Sequence, residues 1–114
     1  MLPTSNPAKL LRIHISESDT HKGKPLYEAI VAKCREMGIA GATVFCGLEG
    51  FGESAEMHKA HLGRNDRPIV ITIVDSAERL AALAPVVEAM MDTGMTAVSD
   101  VQMIRVQKKK SVAT

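Results

Sequence analysis

The segment PIVITIVD, residues 68 to 75, constrains the fold more than any other part of the sequence. Its β-branched residues favour an extended strand. In such a strand Ile69, Ile71 and Ile73 lie on one face, and Val70 and Val74 lie on the other. Because both faces are apolar, each needs a cover. We therefore predict a central strand of a sheet, with helices on one face and other subunits on the second face.

Three further segments read as strands. KLLRIHIS (9–16) alternates with period two, so that Leu11, Ile13 and Ile15 share one face. The segments ATVFCGLE (42–49) and DVQMIRV (100–106) have the same strand-like composition. With residues 68–75 these segments supply the four strands of a small sheet.

Two helices complete the predicted order. The first follows Pro25, which suits a first helical turn, and ends at the stop supplied by Gly38. The second follows a cap at Asp75 or Ser76 and ends by Gly94. The resulting order, βαββαβ, favours an α+β fold, a ferredoxin-like sandwich in which an antiparallel sheet carries both helices on one face.

The chain of 114 residues is long enough for one domain, residues 1–114, with a modest core. Residues 1–8 and 108–114 are predicted to be flexible tails. The net charge of +1 argues against a nucleic-acid partner. The amino-terminal segment has no long apolar run, so we expect a cytoplasmic protein with no direct membrane insertion.

A long polar excursion, residues 50–67, separates the two middle strands, where a hairpin of a few residues would suffice. Loops of this length usually carry function. Residues 53–66 contain few bulky apolar side chains, and we expect them to be mobile without a ligand.

Glycines cluster where the excursion begins. Gly47, Gly50 and Gly52 surround Phe51, and glycine allows positive φ and a close approach of the backbone to a ligand phosphate. The structural alternative is that they form only a bulge and a loop exit.

A second polar cluster, ESDTHKGKP (17–25), lies between the first strand and the first helix. Lys22 and Lys24 are expected beside a helix amino terminus, which favours an anion. A solvated charged loop is the alternative.

Metal binding and catalysis have weaker signals. His58 and His61 stand three residues apart in the excursion and are the candidate metal ligands, with a nearby carboxylate to complete the site. Glu49 could act as a general base, but no nucleophile and orienting group accompany it, so we expect a protein that is not an enzyme. Cys34 and Cys46 form no C-x-x-C pair and are expected to be reduced.

Several segments resemble known families. GIAGATV followed by GFG resembles the signature of the PII signalling proteins, and ESDTHKGKPLYEAIV, GIAGATVFCGLEGFG and PIVITIVDS resemble domain-of-unknown-function family 190, a PII-like group. This resemblance implies a cytoplasmic ferredoxin-like homotrimer that binds a nucleotide. It also implies that the excursion corresponds to the PII T-loop, which contacts a protein partner such as a transporter or an enzyme.

The resemblance carries over to single residues. Thr43 matches a strand threonine near the nucleotide base, Gly50 and Gly52 match the base of the T-loop, and Arg105 retains one of two paired arginines. The glycine- and lysine-rich phosphate loop of PII proteins is replaced by TGMTAVSD (93–100), so AMP or ADP is expected rather than ATP. The full set of expected ligand-binding residues is Thr43, Gly47, Glu49, Gly50, Phe51, Gly52, Lys22, Lys24 and Arg105. The alternative is a metal-binding trimer resembling the copper-tolerance proteins, with His58 and His61 as ligands.

Overall fold

The computed structural model of the chain describes residues 5–51, 57–61 and 64–106. In chain order the elements are β1 (Ser5–Ser16), β2 (Thr20–His21), β3 (Lys24–Pro25), α1 (Leu26–Glu36), β4 (Thr43–Cys46), β5 (Glu49–Phe51), β6 (Met57–His61), β7 (Arg64–Asn65), β8 (Pro68–Asp75), α2 (Ala77–Met90) and β9 (Met95–Ile104).

Four strands form the main sheet in the order β4-β8-β1-β9, and every neighbouring pair is antiparallel. The register places Ile71 of β8 opposite Ile13 of β1 and Val44 of β4. Strand β8 is therefore internal, as its apolar composition predicts, whereas β4 and β9 are the two edges.

One face of this sheet packs on both helices and forms the core. Ile13 and Ile71, at its centre, are fully buried. The other core residues come from both layers: Leu11, Ile15, Ile69, Ile73, Leu26, Ile30, Cys34, Leu80, Leu83 and Val87. Burial of each large aliphatic side chain contributes roughly 1.5–3 kcal/mol. The ferredoxin-like α+β sandwich predicted from the order of elements is confirmed.

The second face of the sheet is only partly covered in the single chain. His14 and Val70 lie opposite each other on this face and are half-buried, and Phe45, opposite Val70, is 57% exposed. This face combines apolar side chains with Arg12 and Thr72, as the sequence alternation predicts.

The two longest strands, β1 and β9, both begin earlier than predicted. Residues 5–8, which we assigned to a flexible tail, belong to β1, and Ala8 is buried opposite Val101. Strand β9 begins at Met95 and not at residue 100, because residues 95–99 pair with residues 10–14 of β1. The predicted tail at 108–114 lies outside the described residues.

The excursion also has secondary structure that the sequence did not indicate. Strands β5, β6 and β7 form a small antiparallel sheet. Residues 52–56 and 62–63 lie outside the described part of the chain, so the expected mobility of residues 53–66 stays a prediction. No helix among the described residues is long and apolar enough to cross a membrane.

Candidate functional site

The glycine segment, residues 47–51, leaves the end of β4 and lies against the first residue of β8. The amide of Gly47 donates a hydrogen bond to the carbonyl of Pro68 at 2.7 Å. A Cβ atom at Gly47 would fall 2.7 Å from Cγ of Pro68, and one at Gly50 would fall 3.4 Å from the same atom. Glycine is therefore required at Gly47 for a close approach within the protein.

This finding corrects part of the sequence interpretation. Among the described residues, the glycines with positive φ are Gly23, Gly38 and Gly94, so neither Gly47 nor Gly50 uses the left-handed region. The close approach of this backbone to a ligand phosphate stays a prediction, and its close neighbour within the chain is the ring of Pro68. Gly52 lies outside the described residues.

Exposed apolar groups surround the glycine segment. Leu48 is 89% exposed and Phe51 is 70% exposed. Thr43 and Glu49 are also exposed, and Thr43 lies on the same face of β4 as Phe45. Aromatic faces beside a hydroxyl group suit a planar heterocycle, which stacks on the ring and accepts or donates a hydrogen bond at its edge.

The second predicted cluster forms a β-hairpin between β1 and α1. Strands β2 and β3 are joined by Lys22 and Gly23, which have φ of 52° and 79°. Positive φ at both central residues defines a turn of type I′, and this conformation is unfavourable for lysine. Lys22 and Lys24 are both exposed, so the hairpin presents two ammonium groups to solvent.

The helix amino terminus that follows offers less to an anion than the sequence predicted. The first amide of α1, that of Leu26, donates to the carbonyl of Asp19 at 2.8 Å. Glu28 also places an acidic side chain in the first turn. Any anion near Lys22 and Lys24 therefore relies on the two ammonium groups more than on the helix dipole.

The structure contains a polar junction that sequence reasoning missed. We call Ser16, Glu17, Ser18, Asp66 and Arg67 the junction, because they connect the end of β1 to the residues just before β8. The hydroxyl groups of Ser16 and Ser18 donate to Oδ1 of Asp66, the latter at 2.8 Å. Asp66 is buried, with these hydroxyl groups as hydrogen-bond donors.

An ion pair completes the junction. The guanidinium of Arg67 donates through Nε and one terminal nitrogen to the two carboxylate oxygens of Glu17, each at 3.0 Å. The amide of Glu17 donates to the carbonyl of Arg67 at 2.9 Å. Hydrogen bonding from the Arg67 side chain lowers the pKa of Glu17, since it favours the charged carboxylate. These residues are about fifty positions apart in sequence, and no local pattern marks them.

Arg105 lies far from the other candidate residues within one chain. It is exposed and follows the last residue of β9, which pairs with Ser5 at the start of β1. The glycine segment lies level with Ser16, the other end of β1. Along the strands, the level of Ser5 and the level of Ser16 are eleven residues apart, which is about 36 Å. Across the sheet, β9 and β4 are opposite edges and lie about 14 Å apart.

The metal expectation has no support among the described side chains, where no group of three or more His, Cys, Asp or Glu residues is placed to hold an ion. The side chains of His58 and His61 lie outside this description. Cys34 is buried in the core and Cys46 is exposed, and burial raises the pKa of the Cys34 thiol.

Solved structures share this fold. The PII-like nitrogen regulatory protein CPII from Thiomonas intermedia, bound to ADP, AMP and bicarbonate, is 28% identical, with a TM-score of 0.65 over 89% of this chain and 92% of that chain. A PII-like signalling protein from Thermus thermophilus is 17% identical, with a TM-score of 0.67 over 88% of this chain and 92% of that one. CutA1 from Oryza sativa, 14% identical with a TM-score of 0.57 over 91% of this chain and 86% of that one, shares the fold alone.

These likenesses define a protein of the PII-like class. The chain belongs to domain-of-unknown-function family 190, described as uncharacterized ACR, whose profile matches residues 8–103. A curated relative, the UPF0166 protein of Aquifex aeolicus, is 34% identical over 98 residues, covering 84% of this chain and 92% of the relative.

Proposed function

We propose that this chain is a PII-like regulatory protein, a homotrimer that binds ADP or AMP in clefts between its subunits. The main support is the arrangement around Gly47–Phe51, where exposed aromatic rings and Thr43 lie beside a backbone segment packed on Pro68. The relative CPII, 28% identical, was solved with ADP and AMP bound. An adenine ring stacked on this segment would use the exposed rings of Phe45 or Phe51.

The position of Arg105 supports a site shared between subunits. Arg105 and the glycine segment lie at opposite ends and opposite edges of one sheet. No rearrangement of side chains can close a gap of about 36 Å within the chain. If Arg105 contacts the phosphates of a nucleotide held at the glycine segment, it belongs to a neighbouring subunit.

The two edges of the sheet also fit a closed ring. Exposed apolar side chains occur at both edges: Val44, Phe45, Leu48 and Phe51 at the β4 edge, and Met95, Val98, Ile104 and Val106 at the β9 edge. Contact of unlike edges makes a heterologous interface, which closes as a ring of three when each subunit is rotated by a third of a turn from the next. Three subunits, with the half-covered sheet faces turned inward, would bury both edges and His14 with Val70.

The proposed site favours fewer phosphates than ATP carries. The segment that replaces the PII phosphate loop is largely strand, because β9 begins at Met95. Arg105 corresponds to one of the two paired arginines of the PII proteins. A single guanidinium group binds one phosphate well, through two parallel hydrogen bonds. The proposed protein partner, a transporter or an enzyme, would contact the excursion. No catalytic role is assigned, and Glu49 is an exposed residue of β5.

Isothermal titration with AMP, ADP and ATP tests this proposal. We expect binding of AMP or ADP with higher affinity than ATP. Arg105→Ala should weaken ADP binding about tenfold to hundredfold, because a charge-assisted hydrogen bond contributes about 1.5–3 kcal/mol. Arg35→Ala, which removes another exposed guanidinium, from α1, should leave the affinity unchanged. Absence of binding by any adenine nucleotide at millimolar concentration would reject the proposal.

A further inference from the structure

The junction connects the two halves of the candidate site within one subunit. On one side, Asp19 accepts a hydrogen bond from the amide of Ser16 at 2.8 Å, and its carbonyl accepts the Leu26 amide after the basic hairpin at 2.8 Å. On the other side, Pro68 holds Gly47 through a hydrogen bond of 2.7 Å. Asp66 and Arg67 directly precede Pro68 in the chain and bind Ser16, Glu17 and Ser18, which lead into Asp19.

The contacts that span the junction are specific. The buried carboxylate of Asp66 accepts two hydroxyl groups, and burying it without them would be costly. The Arg67–Glu17 pair is partly shielded, with 39% of the Arg67 side chain and 16% of the Glu17 side chain exposed. A two-pronged guanidinium–carboxylate contact fixes orientation as well as distance. The junction therefore holds the hairpin base and the start of β8 in one relative position.

We propose that Asp66 and Arg67 are positioning residues that couple the basic hairpin, residues 20–25, to the glycine segment, so that the conformation of the hairpin sets the affinity for the nucleotide at Gly47–Phe51. This inference rests on the proposed nucleotide site, and it adds a regulatory connection inside each subunit. A conformational change in the hairpin is transmitted to the glycine segment through Ser16, Arg67 and Pro68. The same contacts transmit a conformational change from the glycine segment to the hairpin. Both ends of the excursion lie beside Pro68. Ligand binding therefore also sets the position of the backbone where the excursion leaves the sheet.

The test compares Arg67→Gln with Arg79→Gln in the full-length protein. Arg79 is a matched control, because its guanidinium also spans two segments, donating to the Gly38 carbonyl at 2.6 Å and lying 3.9 Å from Asp75. Amide hydrogen exchange is measured without ligand in residues 20–26 and 45–51, and ADP affinity is measured by titration. Glu17→Gln and the double variant Glu17→Gln/Arg67→Gln complete a thermodynamic cycle.

Arg67→Gln should accelerate exchange in both segments together and weaken ADP binding about fivefold or more, whereas Arg79→Gln should change neither. Glu17→Gln should reproduce the effect, and the double variant should be no worse than either single variant, because all three lose the same contact.

The outcomes separate this inference from the proposed function. If ADP does not bind the parent protein but both segments still respond to Arg67→Gln, the nucleotide proposal fails and the structural coupling stands. If ADP binds and Arg67→Gln alters exchange in only one segment, or Arg79→Gln has the same effects, the coupling is overturned and the nucleotide site stands.

Discussion

Gly47 lies directly against Pro68: its amide donates to the Pro68 carbonyl at 2.7 Å, and a Cβ atom at Gly47 would fall 2.7 Å from Cγ of the proline ring. A side chain therefore cannot enter without moving one of two strand ends. We expect Gly47→Ala to lower the free energy of unfolding by about 1–3 kcal/mol, as overpacking does elsewhere. The same variant should weaken ADP binding, because the displaced backbone is part of the proposed site.

Gly41→Ala is the matched control for this change. A Cβ atom there would meet nothing within 4 Å, and Gly41 is not among the glycines with positive φ. It should be neutral or slightly stabilising in chemical denaturation, since alanine restricts the unfolded chain. Equal effects of the two substitutions would show that close packing on Pro68 is unimportant.

Neighbouring residues of β8 distinguish the two faces of the sheet. Ile71 is fully buried against the helices, whereas Val70 lies on the half-covered face opposite His14 and Phe45. Ile71→Asp should prevent folding, because an unpaired carboxylate in the core costs several kcal/mol. Val70→Asp should leave a folded chain that no longer assembles.

Light scattering and circular dichroism measure assembly and folding for these two variants. A parent protein that stays monomeric in dilute solution with normal stability would reject the trimer. A Val70→Asp protein that remains fully assembled would show that the half-covered face is not the subunit interface.

The Glu17–Arg67 pair should leave a signature in the pH dependence of stability. Arg67 lowers the folded-state pKa of Glu17 below its ordinary value of 4.5, so the pair stabilises the folded protein fully above that pH. As the pH falls through the lower folded-state pKa, this contribution is lost. The difference in stability between the parent and Glu17→Gln should therefore be constant at neutral pH and shrink below about pH 4.5. Thermal unfolding across this pH range measures the difference in stability between the two proteins. A difference that grows as the pH falls would contradict the account.

The two cysteines should differ in reactivity. Burial raises the pKa of Cys34, which keeps that thiol protonated and inaccessible, whereas Cys46 is exposed beside the glycine segment. A thiol reagent should modify Cys46 in the folded protein and reach Cys34 only after denaturation. ADP should slow the reaction of Cys46. Comparable rates at both thiols in the folded protein would place Cys34 outside the core.

The sequence predicts the layers of this fold well, because the periodicity of the core residues is strong. Residues 68–75 are a strand with the predicted bounds, and Gly38 has the positive φ expected of a helix stop. The bounds of β1 and β9 are harder to predict. Residues 95–99 and the segment around the proline near the start of β1 lack regular apolar alternation, and they are strands because β1 and β9 pair with each other along their length.

The candidate site is less accessible to sequence reasoning. Lys22 and Lys24 occur together because they are neighbours in the chain, but the junction forms between residues about fifty positions apart. Its serines and carboxylates have no spacing that differs from an ordinary polar loop. The separation of Arg105 from the glycine segment likewise follows from strand order, which the sequence pattern alone does not fix.

Mixed assemblies of two defective variants test the central claim, a nucleotide site shared between subunits, most directly. Arg105→Ala should impair the phosphate contact, and Gly50→Val should impair the glycine segment, where an added Cβ atom would lie 3.4 Å from Cγ of Pro68. Each variant alone should bind ADP weakly. After the two are unfolded together and refolded, a shared site predicts that about one site in four regains the parent affinity, because it takes the glycine segment from one variant and Arg105 from the other. A mixture that binds ADP only as weakly as its separate components would contradict a site built from two subunits.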